Sequence, residues 1–409
     1  MAAPCPRVLV AGTSFGFPYG QGAATRVYMY AKALQAAGAE VHVASLALPE
    51  KGESARAEPA SGIYDSITYE YACGTRVRPR SFARRRLLRL RRLSRLCDLT
   101  LRMSRGSPGA SSILIYSNSS LWVTTLTLLA RVSGAVAILD LCEYPRPGGL
   151  GSVRATLQRA GQRALLYPAL DGIVPISTFL EKYVATGPRP PATLLVPVMV
   201  DTDLFGPEAG SAAAGRQIVY CGALGRYAEV ERVVRSFAQA VDGMPDVSLV
   251  LVGYGPAAPV ARAEALVRSL GLQKRVTFAG DVRREDLPGL LAAAEVFVLP
   301  RPPSVISVAG LPNKLGEYLA AARPVVANAN GDIPRYLDDG VSAYFADPGD
   351  EAAFTARLRY VLEHREEAVA VGRRGRDVAV REFDYRRHGT RLAAFITSLV
   401  AARDRGADG

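Results

Sequence analysis

The chain is poor in the residues that build disulfide frames and metal centres. Its five cysteines, Cys5, Cys73, Cys97, Cys142 and Cys221, are scattered and never form a CxxC pair, and only three histidines occur in 409 residues. An odd set of isolated thiols argues for reduced cysteines in an intracellular chain, against a disulfide framework or a zinc site. A long apolar run is missing too. The best candidate, residues 121–139, is interrupted by Arg131, Ser133 and Gly134 and reads as a helix followed by a strand. The N-terminus enters the strand-like Arg7-Val-Leu-Val10 at once, without the basic start, apolar stretch and cleavage site of a secretory signal. A cytoplasmic protein is therefore expected. No repeat or low-complexity tract is visible, and 49% apolar against 22% charged residues excludes a largely disordered chain.

Acid is scarce in one place above all. Between Arg76 and Arg105 twelve arginines meet a single acid, Asp98, so this block alone carries +11 of the formal +12. It has no interleaved aromatics beyond Phe82 and no zinc or RNP-type motif, which argues against nucleic acid as the partner. Residues 81–103 read instead as an amphipathic basic helix, with Leu87, Leu90, Leu93, Leu96 and Leu101 near one face. Such a helix either lies on an anionic membrane surface, where each basic residue contributes about 1 kcal/mol, or packs on its own domain with a solvated basic face.

At this length two domains, each with its own core, are expected. Strand patterns at Arg7–Gly12, Gly38–Ser45, Ile113–Ser117, Ala135–Asp140 and Asp171–Ser177 alternate with helical ones, as βαβ units require. The pattern restarts after the proline-rich Pro188–Pro191 with Gln217–Cys221, Val247–Gly253, Arg275–Val282, Ala294–Pro300 and Val325–Ala327. Asp171–Ser177 reads as the last strand of the first domain, followed by a serine-capped helix.

Three stretches carry the chemistry. Gly310-Leu-Pro-Asn-Lys-Leu-Gly-Glu317 opens a short helix, with Lys314 and Glu317 sharing one face near amide groups that attract anions. Gly-containing turns follow the first strand of each half, with Gly20 and Gly22 in one and Gly222 and Arg226 in the other. Asp140 and Glu143 lie at a strand's carboxyl end, where open α/β sheets place ligands. Either can orient an acceptor hydroxyl or take its proton, or else cap the following turn.

The run Pro312 to Ala327 resembles the donor-site signature of GT-B glycosyltransferases, the retaining family 4 clan (glycosyl transferases group 1). The resemblance implies an α/β fold of two Rossmann-like domains facing a cleft: 1–192 binding the acceptor, 193–378 the nucleotide sugar, and 379–409 a helix crossing back to the first. It further implies a retaining hexosyltransferase that uses no cofactor and no metal, its donor a UDP-, GDP- or TDP-sugar. Glu317 then holds the ribose hydroxyls and Lys314 faces the diphosphate, joined around the donor by Gly20, Gly22, Gly222, Arg226, Val282, Leu311 and Asn313. Arg26 falls on the acceptor side, and Glu143 and Lys314 are the candidate catalytic groups. The expected acceptor is lipid-linked or an envelope polysaccharide at the inner membrane face, with a soluble small molecule as the alternative.

Some positions depart from the family. Ala309 replaces a second glutamate near the donor sugar, Ala228 a basic residue, and Ala322 the glycine of the turn before Arg323-Pro324. These departures leave open a catalytically inactive relative that binds a nucleotide sugar. A nucleotide-sugar epimerase of the same architecture is a third reading. Asp201-Thr-Asp203 spells a DxD metal motif but resembles the crossover between GT-B domains, where an aspartate caps a turn.

Overall fold

The computed structural model describes residues 6–20, 22–47, 59–77, 79, 81–105, 111–145, 153–206, 216–225 and 229–407. These divide into two compact α/β units: residues 1–197 with 385–409, and residues 198–384. The divisions fall a few residues after the expected 192/193 and 378/379. Val196 and Pro197 still give their carbonyls to Arg26 in the first unit. Val200, which donates its N–H to the Phe383 carbonyl, belongs to the second.

The first unit is built on an eight-stranded sheet of order β3-β4-β2-β1-β5-β6-β7-β8. Its strands are β1 (Arg7–Gly12), β2 (Glu40–Ser45), β3 (Ser61–Tyr64), β4 (Ile67–Tyr71), β5 (Ser111–Ile115), β6 (Val136–Leu141), β7 (Gly172–Pro175) and β8 (Ala192–Thr193). Only the β3–β4 hairpin is antiparallel. The central strands are buried along nearly their whole length, as a parallel sheet covered by helices requires. The connecting helices are α1 (Gly22–Ala36), α2 (Phe82–Arg105), α3 (Ser120–Ser133), α4 (Val153–Gly161) and α5 (Thr178–Ala185). Ser177 caps α5 by accepting the Leu180 N–H. β7 is not the last strand, because β8 adds beside it through Gly172↔Ala192 and Ile173↔Thr193.

A C-terminal helix, Tyr385–Ala407, packs on α1. The fit depends on Gly389, where a Cβ would stand 2.1 Å from the Ala33 carbonyl oxygen. Lys32 lies 5.6 Å above the Tyr385 ring on the same contact.

α2 is turned differently from the sequence expectation. Leu96 and Leu99 are buried, but Leu87, Leu90, Leu93 and Leu101 are exposed, Leu90 to 68%. Arg92 takes an inward place, its Nη1 donating to the Leu46 carbonyl at 2.7 Å and its guanidinium lying 4.2 Å above the Trp122 ring. A planar cation that stacks on indole and finds a buried carbonyl can occupy a site a leucine would otherwise fill.

The second unit has six parallel strands in the order β11-β10-β9-β12-β13-β14. They are β9 (Arg216–Cys221), β10 (Val247–Val252), β11 (Val276–Gly280), β12 (Val296–Leu299), β13 (Val325–Asn328) and β14 (Tyr344–Ala346). Its helices are α6 (Val230–Ala240), α7 (Ala257–Ser269), α8 (Leu287–Ala292), α9 (Val305–Ala309), α10 (Asn313–Ala320), α11 (Ile333–Tyr336), α12 (Glu351–Glu363) and α13 (Arg365–Val378). One core gathers β9, β10 and β12 with α6 and α12 through Ile218, Leu249, Val298, Phe237 and Phe354. In each unit the chain winds outward from a central strand and then restarts on its other side. The order reverses between β1 and β5 in the first unit and between β9 and β12 in the second, and ligands of open α/β sheets bind at such reversals.

The turn from α10 to β13 keeps a left-handed residue although it lacks glycine, since Ala322 has φ +57°. An alanine there costs roughly 1 kcal/mol. Ala322→Gly is therefore expected to raise unfolding stability by about 1 kcal/mol, and Ala322→Val to lower it further than alanine does. Urea unfolding checks both; equal stability of the three proteins would show a turn without strain.

Candidate functional site

The reversal in the second unit is where the donor-side residues gather. β9 and β12 pair through Val296↔Ile218 and Phe297↔Val219, so the turns that follow them leave the sheet side by side. Gly222 heads the first turn and donates its N–H to the Val252 carbonyl, while Gly253 does the same toward Gly280. The carboxyl ends of β9, β10 and β11 are thus laced together.

α10 is fixed to this edge by Tyr318. Its ring stacks on Phe297 at 4.1 Å, and its hydroxyl accepts from the Cys221 N–H at 2.6 Å and donates to the Cys221 carbonyl at 3.2 Å. Glu317, one residue earlier, is only 4% exposed and pairs with Lys314 at 2.7 Å. Burial opposes the Lys314 charge, but Glu317 and Cys221 outweigh it and leave the ammonium pKa raised. The Cys221 thiol is pushed up by burial, against the pull of Lys314. Burial also raises the Asp281 carboxyl, which Lys314 partly offsets, and the half-buried Val282 follows it. Leu311 is buried and Asn313 begins α10. Arg226 lies outside the described residues.

The arrangement joins a buried carboxylate, a lysine that stays charged and the first turn of an eight-residue helix at one sheet edge. It can accept from paired hydroxyl groups and hold an anion beside them. Sequence reasoning missed Tyr318, Cys221 and Asp281. Their signal is weak, because each acts through a partner distant in sequence.

The reversal in the first unit carries the other predicted residues. Gly20, at φ +153°, closes the loop after β1, and Gly22 opens α1. Glu143 stands exposed past the end of β6, its Oε2 accepting from Asn118 Nδ2 at 2.9 Å.

Arg26, expected on the acceptor side, is instead an interior group with 2% of its surface exposed. Its Nε and Nη2 donate to Asp140 at 2.9 and 2.8 Å, Nη2 also reaches the Tyr30 hydroxyl and the Val196 carbonyl, and Nη1 donates to the Pro197 carbonyl at 3.0 Å. Burial lowers its affinity for a proton, but Asp140 and Tyr30 more than restore it, so the guanidinium is firmly charged. The same pairing removes Asp140 as an acceptor-facing carboxylate, leaving Glu143.

Asp201 makes a local structure of the DxD sequence. Its Oδ1 accepts from the backbone N–H groups of Asp203 and Leu204 at 3.2 and 3.3 Å, the pattern of a side chain capping a turn.

Known proteins share both the local and the global pattern. Residues 215–364 match the family model described as glycosyl transferases group 1. A GDP-mannose-dependent alpha-(1-6)-phosphatidylinositol monomannoside mannosyltransferase from Mycolicibacterium smegmatis is 28% identical over 291 residues, 67% of this chain and 74% of the relative. The MMP alpha-(1->4)-mannosyltransferase of Mycolicibacterium hassiacum is 30% identical over 51% of this chain and 48% of its own length. Among solved structures, sucrose-phosphate synthase from Thermosynechococcus elongatus superposes with a TM-score of 0.70 at 20% identity, covering 97% of this chain and all of its own. Anabaena HepE in complex with UDP and glucose reaches 0.71 at 16% identity, over 96% and 99% of the two chains.

Arg26 and Asp140 give a direct test of the interior assignment. Removing one partner strands the other charge in the core, at a cost of about 3–5 kcal/mol. Arg26→Met is expected to lose stability on that scale in chemical unfolding, and Arg26→Met combined with Asp140→Leu to recover much of it. A stable Arg26→Met protein altered only in acceptor KM would return Arg26 to substrate binding.

Proposed function

We propose that this chain, a glycosyltransferase of the group 1 family with the GT-B fold, transfers a hexosyl residue from a nucleoside-diphosphate sugar to a lipid-linked or envelope-polysaccharide acceptor, with retention at the anomeric carbon. The observation that carries the reading is the Lys314–Glu317 pair on the first turn of α10, held at the sheet reversal by Tyr318. In the transfer, Glu317 exchanges its contact with Lys314 for the ribose hydroxyls. Lys314 and the open amides of α10 then stabilise the charge that grows on the departing diphosphate. Gly222, Val282, Leu311 and Asn313 complete the donor contacts within the second unit. Glu143, exposed and oriented by Asn118, positions the acceptor hydroxyl or takes its proton. Two relatives of this chain are mannosyltransferases, one of them named GDP-mannose-dependent, so GDP-mannose is the first donor to try beside UDP- and TDP-sugars.

The acceptor class is supported by α2. No helix among the described residues is long and apolar enough to cross a membrane, and contact with lipid must come from a surface. The outward Leu87, Leu90 and Leu93 share α2 with exposed Arg84, Arg86 and Arg91, a combination suited to an anionic bilayer interface. Flotation with vesicles containing anionic lipid is expected to carry the protein at low salt, to release it at high salt, and to weaken after Leu87→Ser with Leu90→Ser. Equal recovery with neutral vesicles would leave α2 as a solvated face and favour a soluble acceptor. Ala309 supports a second reading, a chain that binds nucleotide sugar without transferring it; release of free sugar or glycosylated acceptor from a labelled donor rules it out.

The donor assignment is tested by Glu317→Gln, which keeps the shape and a hydrogen-bonding oxygen but loses the charge. Donor affinity is expected to fall about tenfold, near 1.5 kcal/mol, with the fold retained. Because Asp201 caps a turn, transfer is also expected to survive EDTA with at most a modest loss. Activity that vanishes, returns with magnesium or manganese and is not rescued in Asp203→Ala would overturn the metal-independent model.

A further inference from the structure

Arg301 follows β12, at the same sheet reversal, and was not picked out by its sequence context. Its backbone is set by β13: the N–H donates to Asn328 Oδ1 at 2.8 Å, and Asn330 Nδ2 donates to its carbonyl at 2.9 Å. The side chain runs beneath the α9 turn, where Nη2 donates to the carbonyls of Ser307 at 3.0 Å and Gly310 at 3.2 Å, with Ile306 at 3.4 Å. The Tyr220 phenol is near enough to act on the guanidinium electrostatically, and its hydroxyl donates to the Ala223 carbonyl in the turn after β9. The guanidinium is therefore tied to the turn that follows β12 and feels the phenol of the residue that braces the turn after β9.

It is a cation without an anion. Nε is buried with no partner, Nη1 donates to none of the described residues, and no carboxylate among them pairs with the group. Burial pulls its pKa down to about 10, opposed by the Tyr220 phenol. Three carbonyl oxygens satisfy one nitrogen but leave the charge of this half-buried side chain uncompensated, a condition that an anion joining it would relieve. Among the buried arginines, Arg26 pairs with Asp140 and Arg232 with Glu229, while Arg92 stacks on Trp122. A guanidinium with Nη2 tied to the protein and Nη1 without a partner among the described residues is suited to a phosphoryl oxygen.

We propose that Arg301 binds the diphosphate of the nucleotide donor, supplying from β12 a fixed cation that complements Lys314 on α10. The proposal rests on the donor-site reading above and adds to it a binding residue that also holds the α9 turn in place. Binding the donor then neutralises a charge that the protein leaves uncompensated, so the phosphate groups contribute strongly to affinity.

The test uses the full chain and calorimetric titration with a nucleoside, its monophosphate and its diphosphate, for whichever of uridine, guanosine, thymidine and adenosine the wild type prefers. In the wild type, affinity is expected to climb with each phosphate. In Arg301→Gln the nucleoside should bind within about threefold of wild type, while the diphosphate loses roughly ten- to hundredfold. Arg301→Lys keeps the charge but not the fork, and should retain part of the phosphate-dependent gain; it serves equally if the glutamine variant does not fold. Equal weakening of nucleoside, monophosphate and diphosphate would mean that Arg301 only braces the α9 turn, and unchanged affinities would likewise overturn the proposal. A wild type that binds none of the diphosphates overturns the donor-site reading and this proposal together.

Discussion

The hydroxyl of Tyr318 bonds both the N–H and the carbonyl of Cys221, and much of the second unit's chemistry depends on that contact. A helix of eight residues has little stability of its own. Stacking on Phe297 and bonding to the last residue of β9 convert it into a rigid part of the sheet edge. Glu317 and Lys314 inherit their positions from that anchor. The ion pair keeps the Lys314 ammonium charged against the burial that opposes it.

The first unit uses a buried ion pair differently. Arg26 and Asp140 tie α1 to β6, and the remaining arginine donors take the carbonyls of Val196 and Pro197. The pair is a brace whose hydrogen bonds are used within the protein, and it lies deeper than Glu143, which stays exposed beyond the same strand. Two acids three residues apart thus have separate roles because the strand ends between them: Asp140 points into the core, Glu143 beyond the sheet.

The central strands of both sheets were legible because short buried runs of Val, Ile and Leu bounded by glycine leave little choice of state. Helix α10 and its Lys/Glu face were also readable, since each depends on neighbours within a few residues. The β3–β4 hairpin and the short β14 were not read, nor was β8, whose two residues gain strand geometry only from β7. Arg26 resembled a loop-proximal substrate contact because its partner is 114 residues away. Arg301 looked like an ordinary charge after a strand, since the carbonyls that hold it belong to a turn whose course the sequence does not specify.

α2 shows why hydrophobic periodicity alone left the orientation of a helix undecided. Its leucines recur at three-residue steps and suggest one apolar stripe, but a stripe advancing by three drifts around a helix of 3.6 residues per turn. The drift carries Leu87, Leu90 and Leu93 to solvent, while Leu96 and Leu99 reach the interior. Arg92 keeps the inner position by stacking on Trp122 and capping the Leu46 carbonyl, and Arg95 answers Glu70 with two bonds. Those contacts use the arginines that the domain can satisfy internally. What remains outward is an apolar row beside Arg84, Arg86 and Arg91, a pairing that water alone does not reward and that a surface offering both hydrocarbon and negative charge does.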